Sequence, residues 1–292
     1  MAELPMTARF RFPVRVVSLA VITGCASSGS ARVASAPSIS VPRSDSTPAR
    51  DTFTLRSKAL GESRYINVYT PPQYHASLGR RAKPLPILYM PDGGVDEDFP
   101  HVVRTVDSLI ARGLIRPVIV VGIPNTQRRR DLTGPTRVAK DSAIAPHVGG
   151  SASFRRFVRE ELVPEIDRRY RTTTERGIIG ESFAGLFVVE TFLEEPRLFS
   201  HYIALDPSVW WNAGTLVDSA GPRIAAFDSS PRTLYLASSK EPSTSVRASR
   251  LDEMLRAAHP AGLRWTYAPR PDLEHATIFR ALESASLMDA LR

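Results

Sequence analysis

Residues 177–190 read GIIGESFAGLFVVE, and this stretch gives the clearest indication of the fold. A short apolar strand is followed by a serine between small residues and then by an apolar helix. A sharp turn from strand to helix lifts such a serine out of the sheet, and it needs small neighbours because the two backbones come close together. The G-x-S-x-G pattern is met at Gly180 and broken at Ala184. The pattern predicts Ser182 as a nucleophile, and the alternative is an ordinary helix N-cap.

Strands and helices alternate on both sides of this stretch. The further predicted strands are Arg64–Thr70, Pro86–Met90, Pro117–Ile123, Tyr202–Leu205, Thr233–Ala237 and Leu263–Tyr267. The predicted helices are Phe99–Arg112, one from Ser151, Ser182 to about Glu195, Val246–Ala258 and Thr277–Leu291. This order predicts an α/β domain with a mostly parallel central sheet, helices on both faces and antiparallel strands at the N-terminal edge.

Several motifs in their order along the chain resemble one known family. The segment from Phe154 to Trp211 resembles the putative-esterase family of α/β-hydrolases, in particular its siderophore-esterase branch. GESRYINVYTPPQY, LPILYMPDGG, VVGIPNTQRRRDLTG and EHATIF are similar to the same branch. The resemblance implies the α/β-hydrolase fold and an esterase activity. Glu181, where histidine is common, and Ala184, where glycine is common, depart from the pattern.

The general base is predicted at His275. In this fold the chain order is nucleophile, acid and then histidine, and His275 follows the last predicted strand by a short loop. The acid is predicted at Glu241, which follows the strand at 233–237. Asp206, one strand earlier, is the rival, and Asp252 is a third candidate on a helix face. The resemblance also allows a serine–histidine pair that works without an acid.

An oxyanion hole needs two backbone N–H groups aimed at the developing charge. The first is predicted at Phe183, directly after the nucleophile. The second is predicted at Gly93 or Gly94, after the strand at 86–90, because glycine lets the backbone approach a substrate carbonyl. The alternative for Gly93 and Gly94 is a simple Pro-Asp-Gly turn.

The N-terminus is typical of a bacterial lipoprotein signal. Three arginines precede the apolar stretch 16–23, and Thr-Gly-Cys follows. Residues 1–24 are therefore predicted to be a signal peptide, with Cys25 the lipidated first residue of the mature protein. The alternative is a plain secretion signal with an incidental cysteine. Residues 25–50, rich in Ser, Ala and Pro, are predicted to be a flexible tether to an esterase domain at 51–292. The predicted location is the cell envelope, at a membrane reached through the lipid.

The net charge of +8 does not indicate nucleic-acid binding. Half of it falls in the first 50 residues, and the only tight basic run beyond them is 128–130, which Asp131 follows at once. No zinc-finger spacing or RNP-like aromatic string accompanies this run. No cluster of His, Cys and Asp has metal-ligand spacing, so neither metal nor cofactor is predicted.

These residues predict a serine esterase that acts on a small-molecule ester through an acyl-enzyme. Arg128 and Arg130 are predicted to meet an anionic group, and Trp210 and Trp211 to line an aromatic pocket. Solvated or ion-paired arginines and core tryptophans are the alternative. Two other functions stay open: a lipid-anchored binding protein on a hydrolase scaffold, and acyl transfer to an alcohol on the same triad.

Overall fold

The computed structural model describes residues 50–76, 83–145 and 147–292. All of them belong to one compact unit. The predicted signal peptide, Cys25 and the tether up to residue 49 lie outside the described residues.

Eight strands form one sheet. They are β1 (Arg50–Arg56), β2 (Ser63–Tyr69), β3 (Leu85–Pro91), β4 (Ile119–Ile123), β5 (Thr172–Glu181), β6 (His201–Leu205), β7 (Arg232–Ser238) and β8 (Leu263–Pro269). The order is β1-β2-β4-β3-β5-β6-β7-β8. β2 pairs antiparallel with β1 and with β4, whereas all the pairs from β4 to β8 are parallel. The mostly parallel sheet with antiparallel strands at its N-terminal edge is confirmed.

Eleven α-helices connect or follow these strands in the described part of the chain. They are α1 (Pro72–Ala76), α2 (Phe99–Ala111), α3 (Arg128–Leu132), α4 (Ala139–Ala143), α5 (Ser151–Phe157), α6 (Val163–Arg169), α7 (Ser182–Glu194), α8 (Thr215–Asp218), α9 (Ala220–Ala225), α10 (Pro242–Ala258) and α11 (His275–Leu291). A π-helical turn at Val158–Leu162 joins α5 to α6. Among these helices none is long and apolar enough to cross a membrane.

The sheet is covered on both faces, as predicted. Side chains alternate along each strand, so Tyr89 and Leu88 of β3 point to opposite sides. Tyr89 packs in a core with Phe154, Phe187 and Leu251, from α5, α7 and α10. Leu88 packs in a second core with residues of α2 and α11. The apolar runs of the central strands are the signature of this two-sided burial.

Three local features differ from the sequence expectations. The edge strand β1 was not predicted, although it alternates polar and apolar residues and pairs along its whole length with β2. The strand before Ser182 begins at Thr172, because its polar first half pairs with β3. The last helix begins at His275 instead of residue 277, so the histidine occupies its first turn.

Candidate active site

Ser182 lies on a strained turn between β5 and α7. Its φ is 60°, in the left-handed region that side chains other than glycine rarely adopt. A methyl group on Gly180 would lie 2.6 Å from the carbonyl carbon of Ala184, so β5 and α7 approach each other too closely for any larger residue at 180. The methyl group of Ala184 itself is buried and accommodated. The turn therefore has the geometry of a nucleophile elbow despite the alanine at its fifth position.

His275 reaches Ser182 from the start of α11. Its Nε2 atom lies 3.1 Å from Ser182 Oγ. The backbone before it is held by a capping box, in which Glu274 and Thr277 each bond the other's backbone N–H. This cap orients the first turn of α11. The contact between His275 and Ser182 agrees with the prediction made for His275 from the sequence.

Asp206 is the carboxylate against His275. The Nδ1–H of His275 donates to Asp206 Oδ2 across 2.6 Å. Asp206 is fully buried, and it also accepts hydrogen bonds from the backbone N–H of Ser239 at 2.6 Å and from its hydroxyl at 2.8 Å. Burial favours the neutral acid, but the hydrogen bonds from His275 and Ser239 outweigh it and hold the pKa of Asp206 below its ordinary value.

The structure does not place Glu241 in the position predicted for it. Glu241 is the N-cap of α10, at the end of the loop that follows β7, and its carboxylate accepts no hydrogen bond from His275, whose ring bonds Asp206 and Ser182. Asp206 ends β6, which pairs directly with β5, and its φ of 44° turns the chain sharply there. The rival carboxylate therefore occupies the acid position, one strand closer to the nucleophile than expected.

The predicted oxyanion donors differ in availability. Phe183 is in the first turn of α7, where backbone N–H groups have no carbonyl partner within the helix. The N–H of Gly93 donates to Ile123 O at 3.1 Å, so it is already engaged. The N–H of Gly94 donates to the Glu97 carboxylate at 2.7 Å. Phe183 is thus a free donor, and Gly94 becomes one only when Glu97 turns away.

A second carboxylate faces the reactive side of the histidine. Glu181 Oε1 lies 3.2 Å from His275 Nε2, the same atom that contacts Ser182. Burial raises the pKa of Glu181 to about 7, against the positive charges of His275 and Arg128, which lower it. Asp206 first, with the charge of Glu181 in addition, raises the pKa of His275 above its ordinary value although burial opposes this.

The three consecutive arginines have three different environments. Arg128 forms a bidentate pair with Asp92, at 2.8 and 2.7 Å, and its Nη1 donates to none of the described residues. Arg129 is exposed and donates to the Ile144 carbonyl. Arg130 pairs with Glu62 and with its neighbour Asp131. Of the two arginines predicted to bind substrate, Arg130 is occupied by structural ion pairs.

The two tryptophans also differ in their exposure to solvent. Trp211 is buried, and its Nε1–H donates to the Gly134 carbonyl at 2.8 Å, so it is a core residue. Trp210 is partly exposed. The Phe183 ring packs against both, with centroids 5.8 Å and 5.7 Å away, and Arg128 lies over the same ring at 5.6 Å. An aromatic cluster with one cationic side chain thus begins at the residue after Ser182, and of its three rings only that of Trp210 is partly exposed.

A cavity of about 440 Å³ shares Arg128 with this cluster and is lined by Gln127, Arg128, Arg129, Arg130, Ala145 and His147. A larger depression of about 630 Å³ lies by the loop that precedes β6, at the amino end of the parallel strands. Neither is lined by Ser182, His275 or Asp206. Ligands of open α/β sheets bind at the carboxyl ends of the strands, so the smaller cavity is the better candidate. Within the described ranges no three His, Cys, Asp or Glu side chains gather into a metal-binding group.

The sheet, the strained serine and the histidine after the last strand define a protein of the α/β-hydrolase fold. The chain belongs to the putative esterase family, whose model matches residues 57–266. Two curated relatives are similar to it: the ferri-bacillibactin esterase BesA of Bacillus subtilis, 33% identical over 48% of this chain and 55% of that protein, and the siderophore triacetylfusarinine C esterase of Aspergillus fumigatus, 30% identical over 59% of this chain and 60% of that protein. The chain thus spans little more than half the length of these relatives.

Solved structures agree on the fold. An IroE-like serine hydrolase from Shewanella oneidensis superposes with a TM-score of 0.70 at 27% identity, covering 83% of this chain and 78% of that one. The siderophore hydrolase EstA of Aspergillus nidulans superposes with a TM-score of 0.67, covering 87% of this chain and 97% of that one. Its 20% identity makes it a likeness of fold alone.

Sequence reasoning did not identify two residues of this site. Glu181 was noted only as a departure from the family pattern, although a carboxylate beside a nucleophile in an otherwise apolar stretch is a signal in itself. Ser239 follows β7 and orients Asp206 with two hydrogen bonds. Nothing in the sequence around Ser239 indicates that role, since it depends on how the ends of β6 and β7 meet.

Proposed function

We propose that the protein is a serine carboxylic-ester hydrolase. The observation that carries this proposal is the continuous hydrogen-bond chain from Ser182 Oγ through His275 to Asp206. A serine on an elbow, a histidine in contact with it and a buried carboxylate behind the histidine are the parts that nucleophilic acyl transfer needs. Membership of the putative esterase family supports the same reaction class.

Each step follows from these contacts. His275 Nε2 takes the proton of Ser182 as Oγ attacks the ester carbonyl, and Asp206 stabilises the imidazolium that forms. The tetrahedral oxyanion accepts a hydrogen bond from the Phe183 N–H, joined by the Gly94 N–H once Glu97 has turned away. Collapse transfers the proton from His275 to the leaving alcohol and leaves an acyl-serine. Water, deprotonated by His275, then releases the acid and restores Ser182.

The proposed substrate class is an aromatic ester that carries negative charge, of the siderophore type. Arg128 has an uncommitted Nη1 beside the Phe183 ring, and Trp210 offers a partly exposed aromatic face next to it. The relatives named as a ferri-bacillibactin esterase and as a siderophore triacetylfusarinine C esterase support this choice. An aromatic acyl group can stack on the rings while its charge pairs with the guanidinium.

The test is turnover of p-nitrophenyl acetate and butyrate by the purified protein and by Ser182→Ala. Ser249→Ala is the matched control, because it removes a hydroxyl on α10 whose one partner among the described residues is Glu253. We expect loss of turnover in Ser182→Ala alone, with a fluorophosphonate label found on the peptide that contains residue 182. Equal rates in all three proteins would refute the proposal. Product that appears only when an acceptor alcohol is added would instead identify acyl transfer.

A further inference from the structure

Glu181 and Ser182 both contact one atom of His275. Ser182 Oγ lies 3.1 Å and Glu181 Oε1 lies 3.2 Å from Nε2. The other ring nitrogen donates its hydrogen to Asp206. In a neutral imidazole with this tautomer, Nε2 is an acceptor with a single lone pair. Ser182 lies in line for a hydrogen bond with Nε2, whereas Glu181 is close enough to act on Nε2 as an ion-pair partner.

A carboxylate and an unprotonated ring nitrogen repel each other at this distance, because both present lone pairs. The contact becomes favourable when Nε2 carries a proton, because an imidazolium then lies beside the Glu181 carboxylate as an ion pair. While Nε2 carries that proton, it cannot accept the hydrogen of Ser182.

We propose that Glu181 is a positioning residue that holds a proton at His275 Nε2 and so sets the pH above which Ser182 is activated. This role rests on the proposed serine-hydrolase function. When the proton leaves to solvent, Nε2 accepts the Ser182 hydroxyl hydrogen and the serine becomes a nucleophile. Activity therefore rises with pH as the Glu181–His275 pair loses its proton.

The surroundings of Glu181 support a proton in this position. Burial favours its neutral form, and the charges of Asp98 and Asp206 favour it further. His275 and Arg128 oppose them by favouring the carboxylate. Burial outweighs the positive charges of His275 and Arg128, and the pKa of Glu181 is raised to about 7 as a result.

The carboxylates around His275 also favour a proton on its ring. The hydrogen bond to Asp206 stabilises the imidazolium, and the negative charges of Glu181 and Glu241 add to it, while burial opposes them. Because Glu181 and His275 are in contact, their protons leave in steps that belong to the pair. Glu241 makes no hydrogen bond to His275, so its contribution is the weaker of the two carboxylates.

The first experiment is the pH profile of kcat/KM for p-nitrophenyl butyrate, measured from pH 5 to 9, for the wild type, Glu181→Gln and Glu241→Gln. Loss of a contacting charge shifts a pKa by roughly one unit or more. In Glu181→Gln we expect the acid limb of the profile, the pH at which kcat/KM falls on the acid side, to be about one unit lower than in the wild type. At a pH below that fall, kcat/KM as a fraction of its plateau value should then be about tenfold higher than in the wild type. Glu241→Gln should move the limb by less than about 0.3 unit, because its charge acts at a distance through solvent. A limb of Glu181→Gln that stays in place, or moves to higher pH, overturns the proposal.

The second experiment does not depend on turnover. NMR titration of the His275 ring in Ser182→Ala and in Ser182→Ala/Glu181→Gln should show a pKa about one unit lower in the double variant. If Ser182→Ala retains wild-type turnover, the proposed function fails, and this titration still decides whether Glu181 controls the His275 proton. If Ser182→Ala is inactive and the His275 pKa is the same with and without Glu181, only the role of Glu181 is overturned.

Discussion

The Nδ1 atom of His275 lies 2.6 Å from Oδ2 of Asp206, a residue at the end of β6. The carboxylate is buried and receives two hydrogen bonds from Ser239, at the end of β7. The ends of β6 and β7 and the first turn of α11 therefore hold the histidine in one tautomer and one orientation. This arrangement assigns to Asp206 the position that the sequence predicts for Glu241.

Asp206→Asn is expected to lower kcat about 10³- to 10⁴-fold, because the amide favours the wrong tautomer of His275. Glu241→Gln is expected to keep kcat within about threefold, since its side chain makes no capping hydrogen bond to α10 and adds only a distant charge. Steady-state kinetics on p-nitrophenyl butyrate compares the two variants. A larger loss in Glu241→Gln would return the acid role to Glu241, and near wild-type rates in both would indicate a working serine–histidine pair.

Arg128→Gln should raise KM for an anionic aromatic ester by about tenfold and leave a neutral short-chain ester nearly unchanged, because one charge-assisted hydrogen bond is worth roughly 1.5–3 kcal/mol. The preference of the wild type for the anionic ester over the neutral ester should also weaken with added salt. Arg130→Gln is the control, since its guanidinium is engaged by Glu62 and Asp131. Parallel losses on both esters in Arg128→Gln would mean that its pair with Asp92 is structural only.

Glu62→Gln should destabilise the fold by about 1 kcal/mol at pH 7, because Glu62 accepts hydrogen bonds from Arg64, Thr126 and Arg130 at a partly buried site. Chiefly the Arg130 hydrogen bond lowers the pKa of Glu62 from 4.5 to about 2. A lowered folded-state pKa contributes stability that is complete above 4.5 and is lost as pH falls from about 4.5 towards 2.

Urea denaturation at pH 7, 4 and 3 checks this expectation. The difference in free energy of unfolding between wild type and Glu62→Gln should shrink as the pH is lowered. A difference that is the same at all three pH values would show that the charge of Glu62 contributes nothing.

Gly180→Ala should abolish the elbow geometry, since the added methyl group would lie 2.6 Å from backbone of Ala184. We expect a loss of about 1–3 kcal/mol of stability from this overpacking, together with loss of turnover. Gly221→Ala is the matched control, because a methyl group there meets nothing within 4 Å. It lies in α9 and should be neutral or stabilising by up to about 1 kcal/mol. Thermal unfolding and turnover measured side by side decide the matter; a Gly180→Ala protein as stable and active as the control would contradict the close approach of β5 and α7.

We propose further that Cys25 carries a lipid that attaches the protein to a membrane of the cell envelope. The basis is the sequence of arginines, apolar residues and Thr-Gly-Cys before residue 26. Cys25→Ala should move the protein from the membrane fraction to the soluble fraction or stop its processing. Intact mass of the mature protein is decisive, because an N-terminus other than a modified Cys25 would refute the proposal.

The architecture and the contacting pair Ser182 and His275 could be predicted from the amino-acid sequence alone. Apolar runs in β3, β4 and β6 predict strands covered on both faces. Because these strands alternate with helices along the chain, a mostly parallel sheet is predicted. Ser182 is identifiable because the elbow constrains its neighbours along the chain. His275 is identifiable because it follows the last strand, and position along the chain decides which edge of a parallel sheet a residue reaches.

The groups that surround His275 could be identified from the tertiary structure alone. Asp206 and Glu241 follow adjacent strands, and the choice between them depends on sheet order and on the turn at Asp206, which are properties of strand pairing across the chain. The different environments of Arg128 and Arg130 likewise depend on Asp92 and Glu62, more than 30 residues away in sequence. Local sequence restricts backbone conformation, whereas hydrogen-bond partners and burial are set by contacts between distant segments, and those contacts determine pKa and reactivity.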